Sequence, residues 1–175
     1  MTQAPEFSRM VDIRSVDDRV RHLEADEAER AALARRFGLI SIGKLEADVS
    51  LVKDGTEVEA KGTLNAEIVQ SCAVTGDDLP ATIREDFTLR FVEEAHAEVA
   101  EGEEVELEAE ELDEIPYTGT SFDLGEAVAQ GLALAIDPYA TGPNAETVRK
   151  EAGLLDESAS GPFAALAALK GKKAD

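Results

Sequence analysis

The sequence predicts an α+β fold: an antiparallel, curved β-meander, curved enough to allow partial barrel closure, packed by two or three helices and followed by a mobile C-terminal tail. Three observations support this prediction. Three consecutive runs alternate apolar and polar residues with period two, which is typical of strands with one wet face. Two segments begin with a helix-capping pattern. A small, polar linker precedes the last residues of the chain.

The three alternating runs define the meander. They cover residues 45–51, 58–68 and 83–91, and Asp54-Gly55 between the first two is a hairpin turn signal. Gly62, in the middle of the second run, predicts a bulge or bend. A short first strand is also expected over residues 7–13. The residues expected on the apolar face are Leu45, Ala47, Val49, Leu51, Val58, Ala60, Leu64, Ala66, Ile68, Ile83, Phe87, Leu89 and Phe91.

Two capped helices are expected to pack on the sheet. The first covers residues 26–37, because Asp26 and Glu29 match a capping box and Gly38 supplies a stop. The second covers residues 123–136 and begins with the motif Asp123, Leu124, Gly125 and Glu126.

The chain is predicted to form one domain over residues 1–156, including an acidic loop at 93–114. A weaker helix is expected over 146–155, inside that domain. Residues 157–175 then form a linker and a short amphipathic helix that begins at Pro162 and Phe163. This helix either docks on its own domain or binds another protein.

The charge balance excludes several classes of protein. The chain has 17 basic and 38 acidic residues, for a formal net charge of −21, which repels phosphate backbones. No apolar stretch is long enough to span a membrane, and the N-terminus lacks the apolar core of a signal peptide. A cytoplasmic location is expected, with no membrane partner and no small-molecule substrate.

The acidic residues are concentrated in one stretch. Residues 93–114 contain 12 acidic residues and no Lys or Arg. The stretch is either a solvated loop or an electrostatic attractor for a basic partner. The residues proposed for partner binding are Glu101, Glu103, Glu104, Glu106, Glu108, Glu110 and Glu111.

No catalytic constellation is present in the sequence. His22 and His96 are far apart and lie beside charged residues, and no phosphate-binding, dinucleotide-binding or serine-hydrolase motif occurs. The single cysteine, Cys72, is interpreted as a buried small side chain, because its acidic and neutral neighbours oppose thiolate formation. The sequence therefore predicts no enzyme activity, no cofactor and no metal.

Two basic clusters support an alternative function, direct RNA binding. One lies on the first helix and the other follows the C-terminal apolar residues. The candidates for RNA or partner contact are Arg30, Arg35, Arg36, Lys170, Lys172 and Lys173.

Four segments in this order resemble the bacterial YceD family. They are residues 29–38, Gln70-Ser-Cys-Ala-Val-Thr75, Asp123-Leu-Gly-Glu126 and residues 162–170. The resemblance implies a role in the accumulation of large-subunit (23S) ribosomal RNA, without an established enzymatic activity. Many relatives carry a C-x-x-C-like pair after the long strand, whereas this chain has Cys72 alone, and one thiolate cannot complete a tetrahedral zinc site without three other ligands.

The sequence therefore predicts a non-enzymatic ribosome-biogenesis factor. Its expected partner is a basic ribosomal protein, or a large-subunit assembly intermediate that contains one, bound through the acidic surface. RNA is the alternative partner, and it is disfavoured by the net charge.

Overall fold

The computed structural model describes residues 5–94 and 114–152. The chain divides into two compact units, one formed by Met1–Gln70 with Pro80–Asp137 and the other by Ser71–Leu79 with Pro138–Asp175. The predicted linker and C-terminal helix, with Pro162, Phe163 and the expected mobile tail, lie outside the described residues.

The predicted α+β fold class is confirmed. A five-stranded sheet has the order β2-β3-β4-β5-β6, and β1 and β7 form a separate antiparallel pair. Because the order is linear and ends at β2 and β6, the sheet is open and is not a closed barrel. The elements are β1 Met10–Asp12, a 3-10 turn Ile13–Ser15, β2 Arg21–Glu24, α1 Glu27–Phe37, β3 Ser41–Asp54, β4 Glu57–Ser71, β5 Asp78–Glu93, β6 Glu114–Tyr117, β7 Ser121–Asp123, α2 Leu124–Ala135 and α3 Ala145–Glu151.

The β3–β4 hairpin confirms the first two alternating runs. Asp54 pairs with Glu57, so the two central turn residues are Gly55 and Thr56, and Gly55 has φ of 60°. A glycine at the first central position suits a tight hairpin turn, since a side chain there would be strained. Every residue expected on the apolar face of these two strands is buried. On β5 only Phe91 of that row is fully buried, and its other members are partly buried.

The β3–β4 pairing has no bulge at Gly62. Pairing runs without interruption past Gly62, which faces Val49, and the irregularity lies between Ile42 and Lys44. A Cβ atom on residue 62 would lie 2.5 Å from the Asp48 backbone oxygen and 2.9 Å from Cζ of Phe87. Glycine occurs here because neighbouring atoms approach the backbone closely.

Three short strands were not predicted. β2, β6 and β7 contain four, four and three residues, too few to show a period. β6 pairs parallel with β5, so the sheet is mixed rather than purely antiparallel. The first predicted strand, residues 7–13, is confirmed only over Met10–Asp12, although Phe7 and Ile13 on either side are buried.

Both predicted caps are present, but only one is a full capping box. In α1 the Glu29 backbone N–H donates to Asp26 Oδ1, and the Asp26 backbone N–H donates to Glu29 Oε2, each at 2.8 Å. In α2 the Glu126 backbone N–H donates to Asp123 Oδ1 at 3.1 Å. The Glu126 carboxylate accepts bonds from Arg36 instead of returning to the cap.

One hydrophobic cluster joins both helices to the sheet. Leu33 of α1, Val128 and Leu132 of α2, and the apolar rows of β3 and β4 all belong to it. Phe91 stacks on Phe122 with ring centroids 4.1 Å apart. Among the described residues, no helix combines the length and apolar character needed to cross a membrane.

Candidate partner-binding surface

The outer face of strands β2, β3 and β4 is acidic. Since Leu23, Leu45 and Leu64 point into the core, the alternate residues of these strands point outward. On this face Glu24 lies opposite Glu46 in the β2–β3 register. We call this surface the acidic face. It carries two lysines and seven carboxylates, which are Glu24, Glu46, Asp48, Asp54, Glu57, Glu59 and Glu67.

The cationic groups on the acidic face are paired with its carboxylates. Lys44 Nζ lies 2.8 Å from Glu46 Oε1, and Lys61 Nζ lies 2.7 Å from Glu59 Oε1. The hydrogen bond with Glu46 and the charges of further glutamates raise the pKa of Lys44. Lys44 therefore remains charged, and seven carboxylates against two lysines give the face a formal net charge of −5, with His22 counted as neutral.

His22 also lies on this face, where it responds to the same carboxylates. Its Nδ1 lies 2.8 Å from Asp48 Oδ1. This hydrogen bond, with the charges of Asp48, Glu46 and Glu24, raises the pKa of His22. No third group completes a catalytic or metal constellation, and no cluster of three metal-ligating side chains occurs within residues 5–94 and 114–152.

The acidic stretch itself lies largely outside the described residues. The structure describes its ends, where Glu93 closes β5 and Glu114 opens β6. Arg90 Nη1 lies 3.2 Å from Glu114 Oε1. The proposed partner-binding residues Glu101, Glu103, Glu104, Glu106, Glu108, Glu110 and Glu111 fall in the part that is not described.

The basic residues of α1 do not form one open patch. Arg36 donates to both oxygens of Glu126, at 2.9 and 2.7 Å, and to Glu6 at 2.9 Å. Arg30 donates to the Ala25 carbonyl oxygen at 2.6 Å. Arg35 is exposed and has no ion pair within the described part of the chain. Lys170, Lys172 and Lys173 lie outside the described residues.

The Asp123–Glu126 motif has a structural role. Asp123 accepts hydrogen bonds from the Ser8 hydroxyl at 2.6 Å and the Arg9 backbone N–H at 2.8 Å, besides capping α2. A Cβ atom on Gly125 would lie 2.5 Å from the Phe7 backbone oxygen. The motif therefore holds the N-terminal segment against α2.

The Arg9–Glu29 ion pair was not predicted from the sequence. Arg9 donates to both oxygens of Glu29, at 2.7 and 2.8 Å. Glu29 is the capping-box residue of α1, so one carboxylate caps the helix and holds the N-terminal segment. A bidentate arginine–carboxylate pair is directional and has no signature in sequence spacing.

Cys72 lies in the second compact unit, in the loop between β4 and β5. Its side chain is buried, and Sγ accepts hydrogen bonds from the backbone N–H of Gly142 at 3.2 Å and of Thr75 at 3.5 Å. Chiefly the Gly142 bond, followed by bonds from Thr75 and Val74, lowers the pKa of Cys72 to about 6. The sequence-based inference considered only the side chains next to Cys72, whereas in the fold these backbone donors favour the anion.

This geometry predicts a thiolate at neutral pH. We expect the thiolate absorbance of the folded chain to rise with a midpoint near pH 6, against about 8.5 for an unperturbed cysteine in denaturant. The pKa of Cys72 is lower in the folded chain than in the unfolded chain, so ionisation of Cys72 stabilises the fold. This stabilisation is complete at a pH above the pKa of the unfolded chain, and it is lost as the pH falls towards 6.

The measurement is an ultraviolet titration, with Cys72→Ala as the blank, because the chain has no other thiol. The unfolding free energy of the wild type should rise between pH 5 and pH 9 by more than that of Cys72→Ala. A midpoint above pH 8 in the folded chain would contradict the assignment.

The fold and the acidic face define a small acidic α+β protein with a mixed, open sheet. The family model described as large ribosomal RNA subunit accumulation protein YceD matches residues 60–170, well over half of the chain. The chain therefore belongs to the YceD family, whose name refers to the accumulation of large-subunit ribosomal RNA. No curated relative and no solved structure matches the chain.

Proposed function

We propose that this chain is a non-enzymatic cytoplasmic factor that supports accumulation of large-subunit ribosomal RNA by binding a basic ribosomal protein. Membership of the YceD family supports the role in RNA accumulation. The acidic face supports the choice of partner, because its net charge attracts a basic surface. The acidic stretch 93–114 contributes further negative charge to the same partner.

A basic protein suits the acidic face better than bare RNA. Each phosphate contact requires a Lys or Arg, and phosphates are repelled by carboxylates. Both lysines of the acidic face are already paired with glutamates. On α1, Arg36 is held by two carboxylates, whereas the exposed Arg35 has no ion pair among the described residues. In this proposal, large-subunit ribosomal RNA accumulates because the bound ribosomal protein is delivered to that RNA or retained on it.

The test neutralises three exposed glutamates of the acidic face that have no ion pair among the described residues: Glu24→Gln, Glu57→Gln and Glu67→Gln. A matched control removes the same charge from three other exposed carboxylates that also have no ion pair among the described residues, with Asp18→Asn, Glu27→Gln and Glu151→Gln. We expect the face variant to bind basic large-subunit ribosomal proteins roughly tenfold more weakly than the control at low salt, since each charge contributes up to about 1 kcal/mol.

The measurement is capture of binding partners from lysate with and without RNase. The recovered protein is then titrated against each variant at low and high salt. Cells that lack the chain should also show a lower ratio of large- to small-subunit ribosomal RNA, restored by the control and not by the face variant. Equal binding by both variants would refute the acidic face as the binding site. Capture that disappears with RNase would assign the ligand to RNA.

A further inference from the structure

Strand β5 has one open edge. β4 lies along its inner edge, whereas on the outer edge β6 pairs only with Arg90–Glu93. Pro80 has no backbone N–H, so it limits the edge at the other end. Residues 81–89, which we call the free edge, have no outer neighbour among the described strands. Unpaired strand edges readily take up another strand.

A groove lies beside the free edge. It has a volume of about 380 Å³, and its lining combines the apolar side chains of Phe87, Leu89 and Leu134 with the polar ones of Glu85, Asp86 and Thr88. Leu134 is 88% exposed, the highest value among the exposed large apolar side chains of the described residues. A strand added to the free edge would cover this groove. In strand addition, the two main chains usually pair with each other while side chains of the added strand enter an adjoining groove.

We propose that a second copy of this chain adds its own β5 to the free edge, antiparallel, about a twofold axis at Glu85. Glu85 is the central residue of 81–89, so the axis that pairs the whole free edge passes through it. Residues equally distant from Glu85 then face each other across the axis. The resulting pairs are Arg84 with Asp86, Ile83 with Phe87, Thr82 with Thr88, and Ala81 with Leu89.

The outward side chains favour this register over its neighbours. An axis at residue 84 would place Arg84 against itself, and an axis at residue 86 would place Asp86 against itself. An axis between two residues would set outward side chains opposite core-facing ones, because side chains alternate. The axis at Glu85 also sets two carboxylates opposite each other, the two copies of Glu85. Of these three axes, however, it alone places Arg84 opposite Asp86, which it does twice, and it keeps apolar residues together.

The charged groups needed for these pairs are available. Arg84 is exposed and makes no ion pair within the described residues. Asp86 Oδ1 accepts from the Thr63 hydroxyl at 2.6 Å, so Oδ2 remains for the partner subunit's Arg84. The two outward charges of the free edge, Arg84 and Asp86, are opposite in sign and lie on either side of Glu85, so they complement those of a second copy that runs antiparallel.

The expected result is a reversible dimer that strengthens with salt. Two chains of net charge −21 repel each other, and salt screens that repulsion. Binding of a basic partner at the acidic face should instead weaken with salt. Because the two interactions respond to salt in opposite directions, the failure of the dimer proposal can be distinguished from the failure of the proposed function. The measurement is sedimentation equilibrium of the full chain over a wide concentration range at low and high salt.

Charge exchange tests the register. Arg84→Asp and Asp86→Arg, each alone, turn two attractive pairs into two repulsive ones, and each should weaken the dimer about tenfold. The double variant Arg84→Asp with Asp86→Arg restores opposite charges across the axis and should recover wild-type affinity. If the double variant is as weak as the single variants, the register is wrong.

The twofold axis has its own test. Glu85→Gln removes repulsion between the two central carboxylates and should tighten the dimer about fivefold. In a Cys72→Ala background, Glu85→Cys should form a disulfide-linked dimer on oxidation. Thr88→Cys, the control, faces Thr82 of the partner subunit and should not. Equal cross-linking at both positions would overturn the proposed axis.

A chain that stays monomeric at every concentration and salt level would overturn the proposal. If it dimerises only when residues 95–113 are replaced by a Gly-Ser linker, the proposal also fails, and the free edge belongs to the chain's own acidic segment.

Discussion

Replacement of Gly125 by alanine is expected to destabilise the first compact unit by about 2–3 kcal/mol. The new Cβ would lie 2.5 Å from the Phe7 backbone oxygen and 2.8 Å from the Arg9 backbone nitrogen. Backbone atoms cannot swing aside as a side chain can, so α2 and the N-terminal segment must separate. Alanine is the better helix former by about 1 kcal/mol, and the clash outweighs this gain. Urea unfolding of the purified chain measures the difference.

Gly131→Ala is the matched control, because it lies in the same helix. Apart from its chain neighbours and the adjoining backbone of α2, no atom of the described residues lies within 4 Å of a Cβ built on Gly131. The substitution should stabilise the chain by about 0.5–1 kcal/mol through helix propensity and a less flexible unfolded state. The two variants should therefore shift stability in opposite directions. A similar change at both positions would contradict the contact between Gly125 and the N-terminal segment.

Phe91→Ala is expected to cost about 3–5 kcal/mol, the largest effect of a single truncation that we predict. Phe91 is fully buried near the end of β5 and stacks on Phe122 of β7. Its removal leaves a cavity between the five-stranded sheet and the β1–β7 pair. Tyr117 of β6 also packs on Phe122, so β6 loses support as well. Chemical denaturation should show a lower midpoint with one cooperative transition.

Phe87→Ala provides the comparison for Phe91→Ala. Phe87 lies on the same face of β5 but is only partly buried. Its truncation should cost about 1–2 kcal/mol at low protein concentration, where dimer formation does not contribute. If Phe87→Ala proved as costly as Phe91→Ala, the core would extend further along β5 than the structure shows.

The elements that depend on nearby residues could be predicted from the sequence. The α1 cap depends on Asp26 and Glu29, three residues apart, and its end depends on Gly38. The apolar face of β3 and β4 follows from period-two alternation. In each case the deciding interaction spans a few residues, so its spacing is visible in the sequence.

Elements that depend on distant residues could not be predicted. β2, β6 and β7 are too short to show a period and exist because a longer strand or a second short strand pairs with them. The parallel direction of β6 depends on where the chain returns to β5. Gly62 illustrates the same limit, since the sequence shows a glycine within a strand but not that Phe87 approaches it.

The candidate site divides in the same way. The excess of acid and the outward direction of Glu46, Asp48, Glu59 and Glu67 follow from composition and alternation. Which cations neutralise them depends on strand register. The ion pair that holds Arg36, proposed from the sequence for RNA or partner contact, could not be foreseen because Glu126 lies ninety residues away. The thiolate character of Cys72 depends on Gly142, seventy residues away.

The sequence by itself determined the α+β class, the strand alternation, the helix caps, the net charge and the family resemblance. These properties arise from composition and from interactions between residues close in the chain. The tertiary structure alone decided the strand order, the open edge of β5, the partners of Arg9 and Arg36, the ionisation of Cys72, and which helical glycine is packed. Each of these requires two distant segments to meet, and their meeting depends on the packing of the whole core.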